Sequence, residues 1–395
     1  MAIETEVPKF DERDAIRLVT NLLGVPGRSC EEQAIADLVV DRLRRAGVSD
    51  RSISFDRAHH KSRRGGEVGN LIVKIPGTKR GPRRLLMAHL DTVPLCVGAQ
   101  PVIRGGEIVS KDPTTALGGD NRAGCAVILN ALQTLLRSNV PYPPLTFVWT
   151  VQEELGLLGA RHLSASKLGK PQLCFNWDGG APNAAVIGAT GDDHIDIEIH
   201  GLASHAGAHP EDGVSASAIA GLAIADLQKN GWHGKVVKGK QQGTSNIGSI
   251  RGGEATNVVT DRLTLTAEVR SHQAPFRRKI IKAYEQAFQH AARSVTNAQG
   301  ECGHVEFSTY DKYESFRIPK SNLSVQAAIA AIEAEGLPSL TRIIDGGLDA
   351  NWLTAHGFPT VTLGCGQAGI HTVNESLNIA EYLTACRIAL RLATG

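Results

Sequence analysis

A histidine and an aspartate two residues apart, His89 and Asp91, close the apolar run Leu85-Leu86-Met87-Ala88, and Pro94 then bars further strand pairing. Four more places offer the same kinds of group: Asp120 after Gly118-Gly119, the neighbours Glu153 and Glu154, Asp178 before Gly179-Gly180, and His371 beyond Gly364-Cys365-Gly366. Taken singly, each has a plain explanation, since an acid before a helix is usually an N-cap. As a set they do not. Several carboxylates drawn into one cleft lose hydration and repel one another unless cations compensate. Two divalent ions would balance Asp120, Glu154, Asp178 and one hydroxide, with two imidazoles as further ligands. Mixed imidazole and carboxylate ligation suits zinc, with cobalt or manganese as substitutes. Glu153 is then left over as a general base for a metal-activated water, and Asp91 as the partner of the second nitrogen of His89.

Such a constellation needs elements that deliver its members to one place. Residues 70–75, 84–88, 145–151 and 173–177 are continuously apolar, as strands buried on both faces are. The last three end at His89, Glu153 and Asp178, and a later apolar run, 359–363, leads toward His371. Between them lie helical patterns: 123–136 with Val127, Leu132, Leu135 and Leu136, a stretch with Leu157, Leu158 and Leu163, and the closing segment 377–392. Ser29 and Glu32 read as the capping box of a helix carrying Ile35, Leu38, Val39 and Leu43 and stopped by Gly47. The alternation predicts an α/β sheet with its ligand groups gathered beyond the carboxyl ends of the strands.

From Gly191 the pattern changes. Ile195, Ile197 and Ile199 alternate with Asp196, Glu198 and His200, and Leu263, Leu265, Ala267 and Val269 with Thr264, Thr266, Glu268 and Arg270. These are half-exposed strands of an antiparallel sheet. Helical stretches at 214–229 and 275–298 and a strand near 304–308 complete the order strand, helix, strand, strand, helix, strand of a ferredoxin-like domain. At 395 residues the chain exceeds one core, so two domains are expected: 1–191 with 310–395, and an insertion at 192–309. His194, His200 and His209 are assigned no chemical role.

Composition narrows the classes. A net charge of +2 exerts no general pull on nucleic acid or membranes. The clusters Lys61, Arg63 and Arg64, and Lys79, Arg80, Arg83 and Arg84, sit among glycines and prolines and read as solvated loops. Seven cysteines without a C-x-x-C pair fit free thiols in a reducing compartment. With no signal peptide in the N-terminal residues and no apolar run of spanning length, a cytoplasmic location is expected. Glu153 and Glu154 are sequence neighbours and cannot flank a sugar. Ser204 and His205, also adjacent, make a poor nucleophile and base, and no G-x-S-x-G, P-loop or G-x-G-x-x-G fingerprint stands in a fitting context.

His89-Leu90-Asp91-Thr92-Val93-Pro94, Gly119-Asp120-Asn121-Arg122-Ala123-Gly124, Glu153-Glu154-Leu155-Gly156, Trp177-Asp178-Gly179-Gly180 and His371 together resemble the co-catalytic zinc metallopeptidases, the family of peptidase T, aminoacylase, the glutamate carboxypeptidases and succinyl-diaminopimelate desuccinylase. The resemblance covers nearly the whole chain. It implies an α/β fold with a phosphorylase/hydrolase-like mixed sheet, and an inserted ferredoxin-like α+β domain that acts as a lid and a homodimer interface. It also implies that His89, Asp120 and Asp178 bind one zinc, that Asp120, Glu154 and His371 bind the other, and that the peptide after Asp120 is cis. In Gly201-Leu202-Ala203-Ser204-His205-Ala206-Gly207 it makes His205 the group that polarises the scissile carbonyl, commonly across the dimer. Asn257 and Arg270 would contact polar groups of the substrate, although Arg270 is read equally well as a solvated strand residue.

Within that family Asp at position 178 accompanies aminopeptidases and dipeptidases. Asp178-Gly179-Gly180 and Asp345-Gly346-Gly347-Leu348-Asp349-Ala350-Asn351 lean toward peptidase T, although the stretch between Asp91 and Asp120 is shorter. The expectation is a cytoplasmic, peptidase T-like exopeptidase acting on di- or tripeptides with two zinc ions. An N-acyl amino acid or other small-amide hydrolase is the nearest rival. A catalytically silent metal-binding protein would have no need of Glu153, and a nucleic-acid-binding module would need salt-sensitive binding that the near-neutral charge does not favour.

Overall fold

The computed structural model describes residues 7–395; the N-terminal Met1 to Glu6, read above as lacking a signal peptide, lies outside them. The chain divides into two compact units, one of residues 7–189 with Phe316–Ile344 and Leu348–Gly395, the other of Thr190–Ser315 with Asp345–Gly347.

The first unit is built on a nine-stranded mixed sheet. Its centre is four mutually parallel strands in the order Leu145–Thr150, Arg84–His89, Leu173–Trp177, Thr360–Leu363. Every residue of these four strands is buried, which is why the sequence shows unbroken apolar runs rather than alternation. Antiparallel partners flank them, Leu71–Ile75 on one side and Ala184–Ala189 on the other. Because the four central strands run the same way, their carboxyl ends open on one edge, and the residues just beyond each of them share that edge.

Helix Gly119–Arg137 packs against the strand Arg84–His89 and is buried over most of its length. Its first turn is irregular: the Asp120-Asn121 peptide is cis, as the resemblance implied, and both residues have non-helical dihedrals. Gly124 is obligatory in this helix, since a Cβ there would lie 2.3 Å from both Asn121 Oδ1 and the Trp177 carbonyl oxygen. Asn378 caps the closing helix Ile379–Thr394 by accepting from the Glu381 N–H at 3.0 Å. A small sheet of Pro101–Arg104, Glu107–Ser110, Gln367–Ala368 and Ser376–Asn378 was not anticipated from the sequence.

Two local expectations are corrected. Helix Gln33–Arg45 starts one residue after Glu32, and neither Ser29 nor Glu32 caps it. Ser29 Oγ donates to Asp91 Oδ2 at 2.6 Å instead, and Glu32 Oε1 accepts from the backbone of Cys30 and Gln152. The side chains choose distant partners because Asp91 and the Gln152 turn are brought beside them. The segment with Leu157, Leu158 and Leu163 is a four-residue helix, Leu158–Arg161, followed by a 3-10 turn at Ala165–Leu168, not one continuous helix.

The second unit is a five-stranded antiparallel sheet in the order Gly234–Lys238, Gln241–Gly252, Arg262–Ser271, Gly191–His200, His304–Tyr313. The last four strands and the helices Ala216–Lys229 and Ala274–Ser294 have the split βαβ order, and Gly234–Lys238 extends it. Ile195, Ile197, Ile199, Leu263, Leu265 and Val269 meet Ile219, Ala223, Phe276, Ile280 and Phe288 in its core. Burial of each large aliphatic side chain contributes about 1.5–3 kcal/mol. The unit is longer than the 192–309 read from the sequence, because its edge strand continues to Tyr313 and Asp345–Gly347 joins it.

Candidate metal centre

The four parallel strands each send a side chain to the same edge of the first unit. His89 ends one strand, Glu153 and Glu154 come after Leu145–Thr150, Asp178 comes after Leu173–Trp177, and the chain beyond Thr360–Leu363 reaches His371. Asp120 enters from the first turn of the buried helix. His89 Nε2 lies 3.2 Å from Asp120 Oδ1 and 3.6 Å from Asp178 Oδ1. His371 Nε2 lies 3.2 Å from Asp120 Oδ2 and 3.0 Å from Glu154 Oε1. Asp120 therefore turns one carboxylate oxygen to each imidazole. Ligand-capable atoms of His89, Asp120 and Glu154, and of His89, Glu153 and Asp178, gather within 4.8 Å of one another.

Burial dominates the electrostatics. It pushes Glu153 well above the ordinary carboxylate range; His89 opposes the shift, and the carboxylates of Asp178, Asp349 and Glu154 reinforce it. Burial also raises Glu154 and Asp178. Asp120 goes the other way: burial would raise it, but hydrogen bonds to His371 and His89 hold it low. His371 is pushed up to about 10 by its hydrogen bonds to Asp120 and Glu154. Carboxylates held this closely draw protons onto the two imidazoles, and with the imidazoles neutral, as metal ligands are, a deficit of positive charge remains. Oxygen and imidazole donors buried around such a deficit fit divalent cations of zinc's type.

Asp91 is fully buried, but its contacts differ from the expected pairing with His89. The Nδ1 of His89 meets the Asp91 backbone carbonyl at 3.0 Å, while the carboxylate stands 3.5 Å away. The carboxylate accepts instead from the Glu153 N–H at 2.9 Å, the Glu154 N–H at 3.2 Å and the Ser29 hydroxyl. One residue thus orients the imidazole with its backbone and the Glu153-Glu154 turn with its side chain.

Three acids have supporting places that the sequence reading did not assign. Glu375, 2% exposed, accepts from the Gly118 N–H at 2.7 Å with one oxygen and from the Asp120 N–H at 2.9 Å with the other. It ties the His371 loop to the backbone that carries Asp120. Asp349, buried at the start of helix Asp349–Ala355, accepts from the Thr150 hydroxyl and is raised to about 7, chiefly by burial. Glu32, also buried, is raised to about 8 by burial and then by the charge of Asp91. An acid four residues after a candidate ligand was the available signal for Glu375.

His205, Asn257 and Arg270 belong to the second unit. His205 and Asn257 are neighbours there: the Ala206 N–H donates to the Asn257 carbonyl at 2.9 Å, and His205 bridges to Val258. His205 is exposed, and its Nδ1 accepts from the N–H groups of Gly207 and Ala208 at 3.2 and 3.0 Å. A neutral imidazole so held carries its proton on Nε2, free to donate. Arg270 is half-buried and paired with Glu268 at 3.0 Å and Asp192 at 3.6 Å, so it is not the solvated residue of the alternative reading.

Residues 85–395 match Peptidase family M20/M25/M40, and the chain belongs to that family of metallopeptidases. Among curated proteins it is 32% identical over 326 residues to the uncharacterized protein YqjE of Bacillus subtilis, covering 82% of this chain and 84% of that one. It is 24% identical over 404 residues to peptidase T of Vibrio cholerae, covering 92% and 91%. A tripeptidase structure from Staphylococcus aureus superposes with a TM-score of 0.87 at 29% identity, covering 97% of this chain and 98% of that one. Within the family, the chain is peptidase T-like.

Proposed function

We propose that this metallopeptidase is an exopeptidase of di- or tripeptides. The observation that carries the reading is the placement of the Asp120 carboxylate between His89 and His371, 3.2 Å from each. His89, Asp120 and Asp178 would hold one zinc, and Asp120, Glu154 and His371 the other. Bound there, the ions would supply Lewis acidity, lowering the pKa of a water and polarising the scissile carbonyl. Glu153 takes the proton of the attacking water as the C–O bond forms and passes it to the amine as the C–N bond breaks. Asp91 keeps Glu153 aimed through the 2.9 Å bond to its backbone. His205 would donate from Nε2 to the carbonyl oxygen, and Asn257 and Arg270 would bind polar groups of the peptide. The second unit would serve as lid and homodimer interface. Seven free cysteines support a cytoplasmic setting, and among the described residues no helix is long and apolar enough to cross a membrane.

A panel of di- and tripeptides with free and blocked amino termini, assayed with metal content measured alongside, tests the reading. Wild-type protein should cleave free peptides, and Glu153→Gln should retain its metal and lose turnover. Preference for N-acyl amino acids, or normal turnover by Glu153→Gln, overturns it. Mixing His205→Ala with Glu153→Gln chains tests whether His205 acts across a dimer, since only that arrangement restores activity.

A further inference from the structure

The solvent face of the second-unit sheet carries another set of ligand-capable residues. Glu198 and His200 lie two positions apart on the strand Gly191–His200, so both point to that face. On the edge strand His304–Tyr313, the register sets His304 opposite His200 and Glu306 opposite Glu198. His200 Nε2 is 3.3 Å from Glu198 Oε1 and 3.6 Å from Glu306 Oε1, and one ligand-capable atom from each of the three lies within 4.8 Å of the others. The His200 and His304 rings stack with centroids 6.0 Å apart. His200 Nε2 is shielded from solvent without a well-formed hydrogen bond among the described residues, while Glu198 Oε1, equally shielded, meets the Arg262 guanidinium.

A shared proton and a shared metal ion require different spacings. A charge-assisted hydrogen bond from imidazolium to carboxylate is about 2.7–2.9 Å long. Two donors bound at about 2.0–2.2 Å to one tetrahedral ion are separated by about 3.3–3.6 Å. The observed pair of distances falls in the second range. We infer that Glu198, His200 and Glu306 form a binding site for one divalent transition-metal ion of zinc's class, with His304 in position to add a second imidazole. The imidazole favours such an ion over magnesium or calcium, which prefer all-oxygen shells. His200, given no chemical role from the sequence, is the centre of this site. Arg262 competes for Glu198 through an ion pair, but it is itself 66% exposed, and such pairs weigh little. A bound ion would clamp the edge strand to its neighbour just before Gly201, where the loop bearing His205 departs.

The experiment compares metal per chain in wild type, His200→Ala and Glu306→Ala after dialysis against a fixed micromolar concentration of free zinc. Circular dichroism monitors folding. Each variant should hold one equivalent less than wild type, and Arg262→Ala should fill the site at lower zinc. With Cu2+ as probe, paramagnetic resonance should show imidazole nitrogen coupling that disappears in His200→Ala. Equal metal content in wild type and the variants overturns the inference. Glu306 is 66% exposed on an edge strand, so Glu306→Ala decides the matter even if His200→Ala fails to fold.

Discussion

Glu375 offers the sharpest probe of how the centre is held. Its two oxygens accept from the N–H groups of Gly118 and Asp120, so both are committed to the backbone that aims Asp120. Glu375→Gln keeps the shape and removes one acceptor, leaving an amide NH2 facing a backbone N–H in a buried place. A hydrogen bond to a charged group contributes about 1.5–3 kcal/mol, and a buried donor left without a partner costs about 1–3 kcal/mol. The loss should therefore be about 2.5–6 kcal/mol, concentrated in the turn that positions Asp120. Loss of a comparable supporting contact weakens metal binding about 10- to 100-fold. Chelator competition on wild type and Glu375→Gln measures the affinity, and thermal unfolding of the metal-free proteins measures the stability. Metal affinity equal to wild type would refute the reasoning, because the contact would then be restraining something other than Asp120.

Three further perturbations probe the same molecule. Glu32 has its pKa raised from 4.5 to about 8 in the folded protein, so the unfolded chain releases its proton first. Stability should fall as pH rises from about 4.5 to 8 and stay low above that; Glu32→Gln should flatten the fall in melting-temperature measurements between pH 5 and 9, and an unchanged slope would exclude Glu32 as its source. Arg277 is almost fully buried and bonds to Asp193 and Glu314, each at 2.6 Å. Arg277→Ala leaves Asp193 buried without its cation, and denaturant unfolding should show the second unit weakened by about 3–5 kcal/mol. Gly124→Ala forces a Cβ against Asn121 and the Trp177 carbonyl; the strain should cost about 1–3 kcal/mol and depress kcat/KM with it, whereas full activity would show that the helix shifts without moving Asp120.

Much of the molecule was legible because two regularities act locally. Strands buried on both faces leave unbroken apolar runs, and parallel strands place the residues just beyond their carboxyl ends on a common edge, so His89, Glu153, Glu154, Asp178 and His371 could be grouped before any coordinates. Alternation marked the strands Gly191–His200 and Arg262–Ser271. The strand Gln241–Gly252, which the strand, helix, strand, strand, helix, strand order required, could not be located from the sequence because its residues are mostly polar or glycine and only Ser245 is buried. Its pairing with Arg262–Ser271 gives it its structure.

The residue types and spacings by themselves determined which groups could be offered to a metal and which acid was left to propose for proton transfer, since those depend on chemistry and on strand direction. Only the tertiary structure decided who supports them. Ser29 and Glu32 spelled a helix cap, but folding offered Asp91 and the Gln152 backbone as partners, and a side chain bonds to whichever donor or acceptor lies within reach. Glu375 looked like a loop acid until the approach of Gly118 and Asp120, more than 250 positions away in the chain, removed its water and supplied two N–H groups. Such roles are set by burial and by contacts between distant segments, which no local pattern records.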